Sequence, residues 1–111
     1  MGTRALIAIE GSDVVIYQHW DGNPEHTLPL LKSFVADFTA KRAFDAEYLT
    51  AYLIYRLKDI QDASDETAGF GVMANTCASD NSDIEFTYVI YDTGHIEVLD
   101  GNGFNARGGV L

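Results

Sequence analysis

The sequence predicts an α+β fold: an antiparallel sheet of four to five strands, in chain order β-β-α-α-β-β-β, with two helices packed on one face. Two observations carry this. Short apolar, β-branched runs stand in pairs toward both ends of the chain, and two windows of helical periodicity sit together between them. Strands joined by turn residues favour antiparallel pairing, and grouped helices favour one covered face. At 111 residues and 47% apolar content, the chain makes one domain, 1–111, with a true core.

Residues 4–10, RALIAIE, read as the first strand. Gly11-Ser12 is a hairpin signal, and the run DVVIYQHW at 13–20 is a second strand. It is apolar on both faces, which places it inside the sheet rather than at an edge. A hairpin turning at 11 and 12 pairs residue i with residue 23 − i, so Arg4 falls opposite His19. From Thr27 the period changes. Leu28, Leu31, Phe34, Val35 and Phe38 recur at helical spacing, with Thr27 placed to cap the amino end and Pro29 in the first turn. Lys41 and Arg42 suit the negative carboxyl end.

Asp45 reads as the cap of a second helix over about residues 46–61. Its apolar stripe is Leu49, Tyr52, Leu53, Arg56, Leu57 and Ile60, with the Arg56 stem lying along it. DASDETAG, 62–69, is a polar loop. GFGVMANTC, 69–77, alternates as a strand weakened by its glycines. After the turn SDNSD, the runs IEFTYVIY and IEVLD form a hairpin around 92–95. The glycine-rich end, 101–111, reads as a loosely held tail. Strands that are apolar on two sides need cover on the second face as well. A partner chain would supply it, which predicts a homodimer.

Charge is unevenly placed. Residues 1–58 hold seven acids and six bases, whereas residues 59–106 hold ten acids and no Lys or Arg, within a net charge of −10. Such a field repels nucleic acid and anionic membrane and favours a basic partner surface. The single Cys77 excludes an internal disulfide and reads as a small buried or half-buried residue in a reducing compartment. No run approaches a membrane span, and no secretion signal or lipid anchor is readable, so a cytoplasmic location is expected.

The stretch IYQHWDGNPE, residues 16–25, carries a resemblance. A start MGTR, a hairpin, and a strand ending in HWDG.PE before an amphipathic helix resemble a group of uncharacterised small proteins of bacteriophage, bacterial and archaeal genomes. The matching residues are Gly2, Thr3, Arg4, His19, Trp20, Asp21, Gly22 and Pro24, within roughly the first quarter of the chain. This sequence departs with Asn23, where the group tends to have Tyr, and with His26-Thr27, where Gly-Leu is common. The resemblance implies a phage association, and with it a host-defence antagonist in the cytoplasm of the host cell.

Arg4, His19 and Asp21 are expected to form one polar cluster at the open end of the hairpin, with Trp20 and Asn23 beside it. An Arg for an anion, an indole for stacking and an Asp for hydroxyl or amino groups suit a nucleotide-like molecule. The first expectation is therefore a non-catalytic small binding protein that sequesters such a ligand at Arg4, His19, Trp20, Asp21 and Asn23. The structural alternative is a network in which Asp21 caps the turn and pairs with Arg4. A second expectation is an acidic, nucleic-acid-mimicking inhibitor of a basic host protein, with Asp80, Asp83 and Glu85 in its contact face and Tyr48 and Tyr55 as interface tyrosines. A third is a small hydrolase using His19 as base and Asp21 as its orienter, though no nucleophile signature accompanies them. A metal site drawn from His19, Asp21, His26 and His95 has usable His-x-Asp geometry on one strand face, but three histidines scattered over 111 residues carry little specificity, and no cofactor is implied.

Overall fold

β1 (Ala5–Ile9) runs through the middle of a five-stranded sheet whose order is β3-β2-β1-β4-β5. The computed structural model describes residues 3–60, 69–81, 83–105 and 107–110. In these, β1 and β2 (Val14–Gln18) are followed by α1 (Pro24–Lys41), α2 (Ala46–Ile60), β3 (Phe70–Ala74), the short α3 (Asn75–Ala78), β4 (Phe86–Ile90) and β5 (Ile96–Asp100). The class is α+β with the expected strand and helix order, α3 being added. The polar loop read at 62–69 lies outside the described residues except for Gly69.

The β1–β2 register is the one derived from the turn: Ala5 faces Gln18 and Ile7 faces Ile16. β2 is interior, paired antiparallel with both β1 and β3. The sheet is mixed rather than antiparallel, because β4 lies parallel to β1. β2 and β3 occupy one side of β1, so the remaining edge of β1 receives a strand that comes back from α3 in the same direction. All five residues of β1 are buried, as a strand covered on both faces requires.

Alternation along the strands makes two cores. Ile7, Ile9, Ile16, Tyr88 and Ile90 face α1 and α2, where they meet Leu31, Phe34, Val35, Phe38, Leu49, Leu53 and Leu57. Leu6, Ala8, Val15 and Val89 face the other way, onto Ala78, Ile84 and Phe104. The chain itself supplies cover for this second face. The tail read as loosely held is packed there. Asn102 Nδ2 donates to the carbonyls of Ala78 and Asn81 at 2.7 and 2.8 Å, and the Gly103 N–H donates to Thr87 Oγ1 at 2.9 Å. Phe104 is buried and bridges to Val110.

Several local expectations shift. α1 begins at Pro24, whose fixed φ and missing N–H suit the first helical position, so Pro29 lies inside the helix and Thr27 is buried rather than capping. Asp45 does cap α2, accepting the Glu47 N–H at 3.2 Å. The buried stripe of α2 is narrower than read: Leu49, Leu53 and Leu57 are inside, while Tyr52 is about half exposed. β3 ends at Ala74, and the helical turn that follows buries Ala78 and leaves Cys77 exposed, not packed.

Phe104→Ala would strip the second core of its largest tail contact. The expected loss is about 3–5 kcal/mol, the usual cost of truncating a buried phenylalanine, read from urea unfolding.

Candidate functional site

The loop of residues 19–23 leaves β2 and enters α1, and the interior holds it by its carbonyls. Gln18 Nε2 donates to the carbonyl of Trp20 at 2.8 Å, Thr27 Oγ1 to that of Asp21 at 2.8 Å, and the Tyr88 hydroxyl to that of Gly22 at 2.5 Å. These donors belong to β2, α1 and β4, so three elements grip three successive peptide units. The Gly22 N–H donates to the Thr3 carbonyl at 2.9 Å. A Cβ on residue 22 would stand 2.6 Å from that carbonyl oxygen and 2.7 Å from Ala5 Cβ, so only glycine fits. Asp21 turns the chain with φ of 57°, a left-handed conformation that Asp tolerates better than most residues. Burial pushes the Tyr88 phenol up to about 12, with the hydrogen bond to Thr27 pulling the other way.

The side chains of this loop do not assemble into the expected cluster. Arg4 Nε pairs with Asp83 Oδ2 at 3.2 Å instead. His19 shares a 2.8 Å hydrogen bond between its Nδ1 and the Tyr17 hydroxyl, and its ring stands edge-on to the Trp20 indole at 4.4 Å. Trp20 is 41% exposed. The left-handed turn at residue 21 carries the Asp21 side chain off the strand face that holds His19. It lines a small cleft of about 120 Å³ with His26, Leu30 and Phe70, where Gln18 and Thr27 are already committed to the loop carbonyls. Asn23 donates to Glu25 at 3.2 Å. His19 and Asp21 therefore do not form a base with its orienter. Among the described residues no three His, Cys, Asp or Glu side chains gather as a metal site. No described helix is long and apolar enough to cross a membrane.

The acids of residues 80–100 divide between the two ends of the β4–β5 hairpin, while Asp59 lies exposed on α2. At one end Asp80, Glu85 and Asp100 are exposed, and Asp83 is partnered by Arg4. At the other, Glu10 accepts the Asp92 N–H at 2.9 Å, and Glu97 accepts the Tyr91 hydroxyl at 2.7 Å, which raises the Tyr91 phenol above its ordinary pKa. Asp62, Asp65 and Glu66 lie outside the described residues.

A larger hollow opens elsewhere, between α1 and α2. It measures about 340 Å³ and is lined by Phe34, Asp37, Phe38, Lys41, Arg42, Tyr52 and Arg56. Three cations and one carboxylate thus meet in a chain whose net charge is −10. The Arg42 guanidinium lies over the Tyr48 ring at 4.5 Å and near the Phe38 ring at 5.6 Å. Arg56 lies over Phe34 at 5.4 Å and donates to Asp37 at 3.2 Å. Lys41 has no ion-pair partner among the described residues. The sequence assigned Phe34 and Phe38 to the core, Arg56 to its own stripe, and Lys41 and Arg42 to the helix end. The signal that pointed here is the confinement of five of the seven bases to residues 32–58, interleaved with aromatic residues.

No family model, no curated protein and no solved structure matches the chain.

Gly22→Ala should lower stability by about 1–3 kcal/mol, since the added methyl must displace backbone, and chemical denaturation measures it. Tyr88 is expected to give an alkaline signature. Its folded pKa is raised, so its contribution is complete below about pH 10 and is lost as pH rises through about 12. Tyr88→Phe should remove that share of the alkaline loss. It should also cost about 1–3 kcal/mol at neutral pH, because the buried Gly22 carbonyl loses its donor, as thermal melts across pH would record.

Proposed function

We propose that this chain is a non-catalytic small binding protein that sequesters an anionic, ring-bearing ligand of nucleotide type, seated between α1 and α2 rather than at residues 19–23. The observation that carries this reading is the convergence of Lys41, Arg42 and Arg56 with the Tyr52 and Phe38 rings around about 340 Å³. That volume falls in the ~300–1,000 Å³ range of small-molecule sites, while the cleft beside Asp21 is too small for a nucleotide. Arg42 and Lys41 supply donors for phosphate oxygens, with the fork of Arg42 suited to two at once. Tyr52 offers a ring face to a base. Asp37 anchors Arg56 and has a second oxygen for a ribose hydroxyl or an exocyclic amine. The host-defence role implied by the resemblance would follow from the same act, removal of a signalling nucleotide from solution.

A panel of linear and cyclic nucleotides tested by thermal shift should contain at least one that stabilises the protein. Ligand at about 100 times its dissociation constant adds about 2.7 kcal/mol. Arg42→Ala should abolish that shift with the circular dichroism spectrum unchanged, and Trp20→Ala should leave it intact. The reverse pattern would move the seat back to the loop, and a panel without any stabilising nucleotide would end the proposal.

A further inference from the structure

Three of the large apolar side chains that the fold leaves exposed stand on one face of α2: Tyr48 at 53%, Tyr52 at 52% and Tyr55 at 68%. They follow the i, i+4, i+7 spacing that puts residues on one helical stripe. Ala51, exposed and small, sits among them, and the four residues border a shallow, wide-open depression. Two charged flanks border the stripe. At 100° per residue, Glu47 and Lys58 fall on one side of it, and Asp45 and Arg56 on the other. On each flank the acid is at the amino end of the helix and the base at the carboxyl end.

We propose that α2 is the contact of a reversible homodimer in which two copies of the helix pack antiparallel about a two-fold axis near Ala51 and Tyr52. An isologous contact sets each flank against the same flank of the other copy, reversed end to end. In that register Tyr48 meets Tyr55 of the second copy, and Tyr52 enters the depression over Ala51. Glu47 lies opposite Lys58, whose ammonium also donates to the Phe70 carbonyl of its own chain at 3.3 Å, and the capping Asp45 lies opposite Arg56, which keeps its 3.2 Å bond to Asp37, each pair twice. A parallel arrangement would instead set like charges side by side, and the antiparallel one also opposes the two helix dipoles favourably. A second copy of this chain is therefore the occupant that the charge pattern selects. Three tyrosines and their flanks bury on the order of 1,000 Å² in total, the size of a weak, concentration-dependent association. Tyrosine and arginine are the residue types that dominate such contacts. The inference does not rest on a nucleotide in the neighbouring groove, with which the contact shares Tyr52 and Arg56; residues 47, 55 and 58 lie outside that groove.

Sedimentation velocity from about 1 µM to about 1 mM should show the mass of the full chain rising from monomer toward dimer. Tyr55→Glu should weaken association at least about 30-fold with the circular dichroism spectrum unchanged. Glu47→Lys and Lys58→Glu should each dimerise poorly alone. Mixed in equal amounts, they should associate again, because the heterodimer restores both pairs on that flank. A protein that stays monomeric throughout, a dimer indifferent to Tyr55→Glu, or a mixture that associates no better than its components overturns the proposal.

Discussion

The hydrogen bonds from Gln18, Thr27 and Tyr88 to the carbonyls of residues 20 to 22 decide where the chain leaves the sheet and at what angle α1 starts. Each donor is largely or wholly buried, and the Gly22 carbonyl is a buried backbone group that would otherwise be left unsatisfied. The loop is therefore fixed by interior chemistry, while its indole and carboxylate remain outside. Its polar side chains look like a site in the sequence, but its main role in the fold is to seat α1. Gly22, pressed against the start of β1, allows no other residue at the closest point of that junction.

Once α1 is seated, α2 packs beside it through Leu49, Leu53 and Leu57, and the rest of the helical surface follows. At the edge of the first core, the buried Phe34 and Phe38 meet the half-exposed Tyr52 and the Arg56 side chain. They line a trough whose guanidinium groups are held over aromatic rings. Stacking over a ring restricts the orientation of each of these guanidinium groups. Five of the seven bases lie in residues 32–58, within a chain whose net charge is −10.

The opposite face of the sheet is closed by the chain's own end. Asn102 and Thr87 tie the tail to α3 and β4, and Phe104 fills the space left by small residues such as Ala8 and Ala78. With both faces of the sheet covered internally, the exposed apolar surface is concentrated on the outer side of α2, where three tyrosines share one stripe.

Much of the architecture was legible because it is local. The hairpin register follows from the position of one turn, since a strand's side chains alternate with a period of two, and the helices follow from apolar spacing and the Asp45 cap. What the sequence by itself determined was therefore the class, the element order, the β1–β2 pairing and the existence of a second apolar face. Tertiary structure alone decided that β4 runs parallel to β1, that Arg4 turns to Asp83, that the tail covers the second face, and that Lys41, Arg42 and Arg56 meet across two helices. Each of these joins residues with no shared turn or period, and such contacts are chosen by the shape and burial left over after local elements have formed.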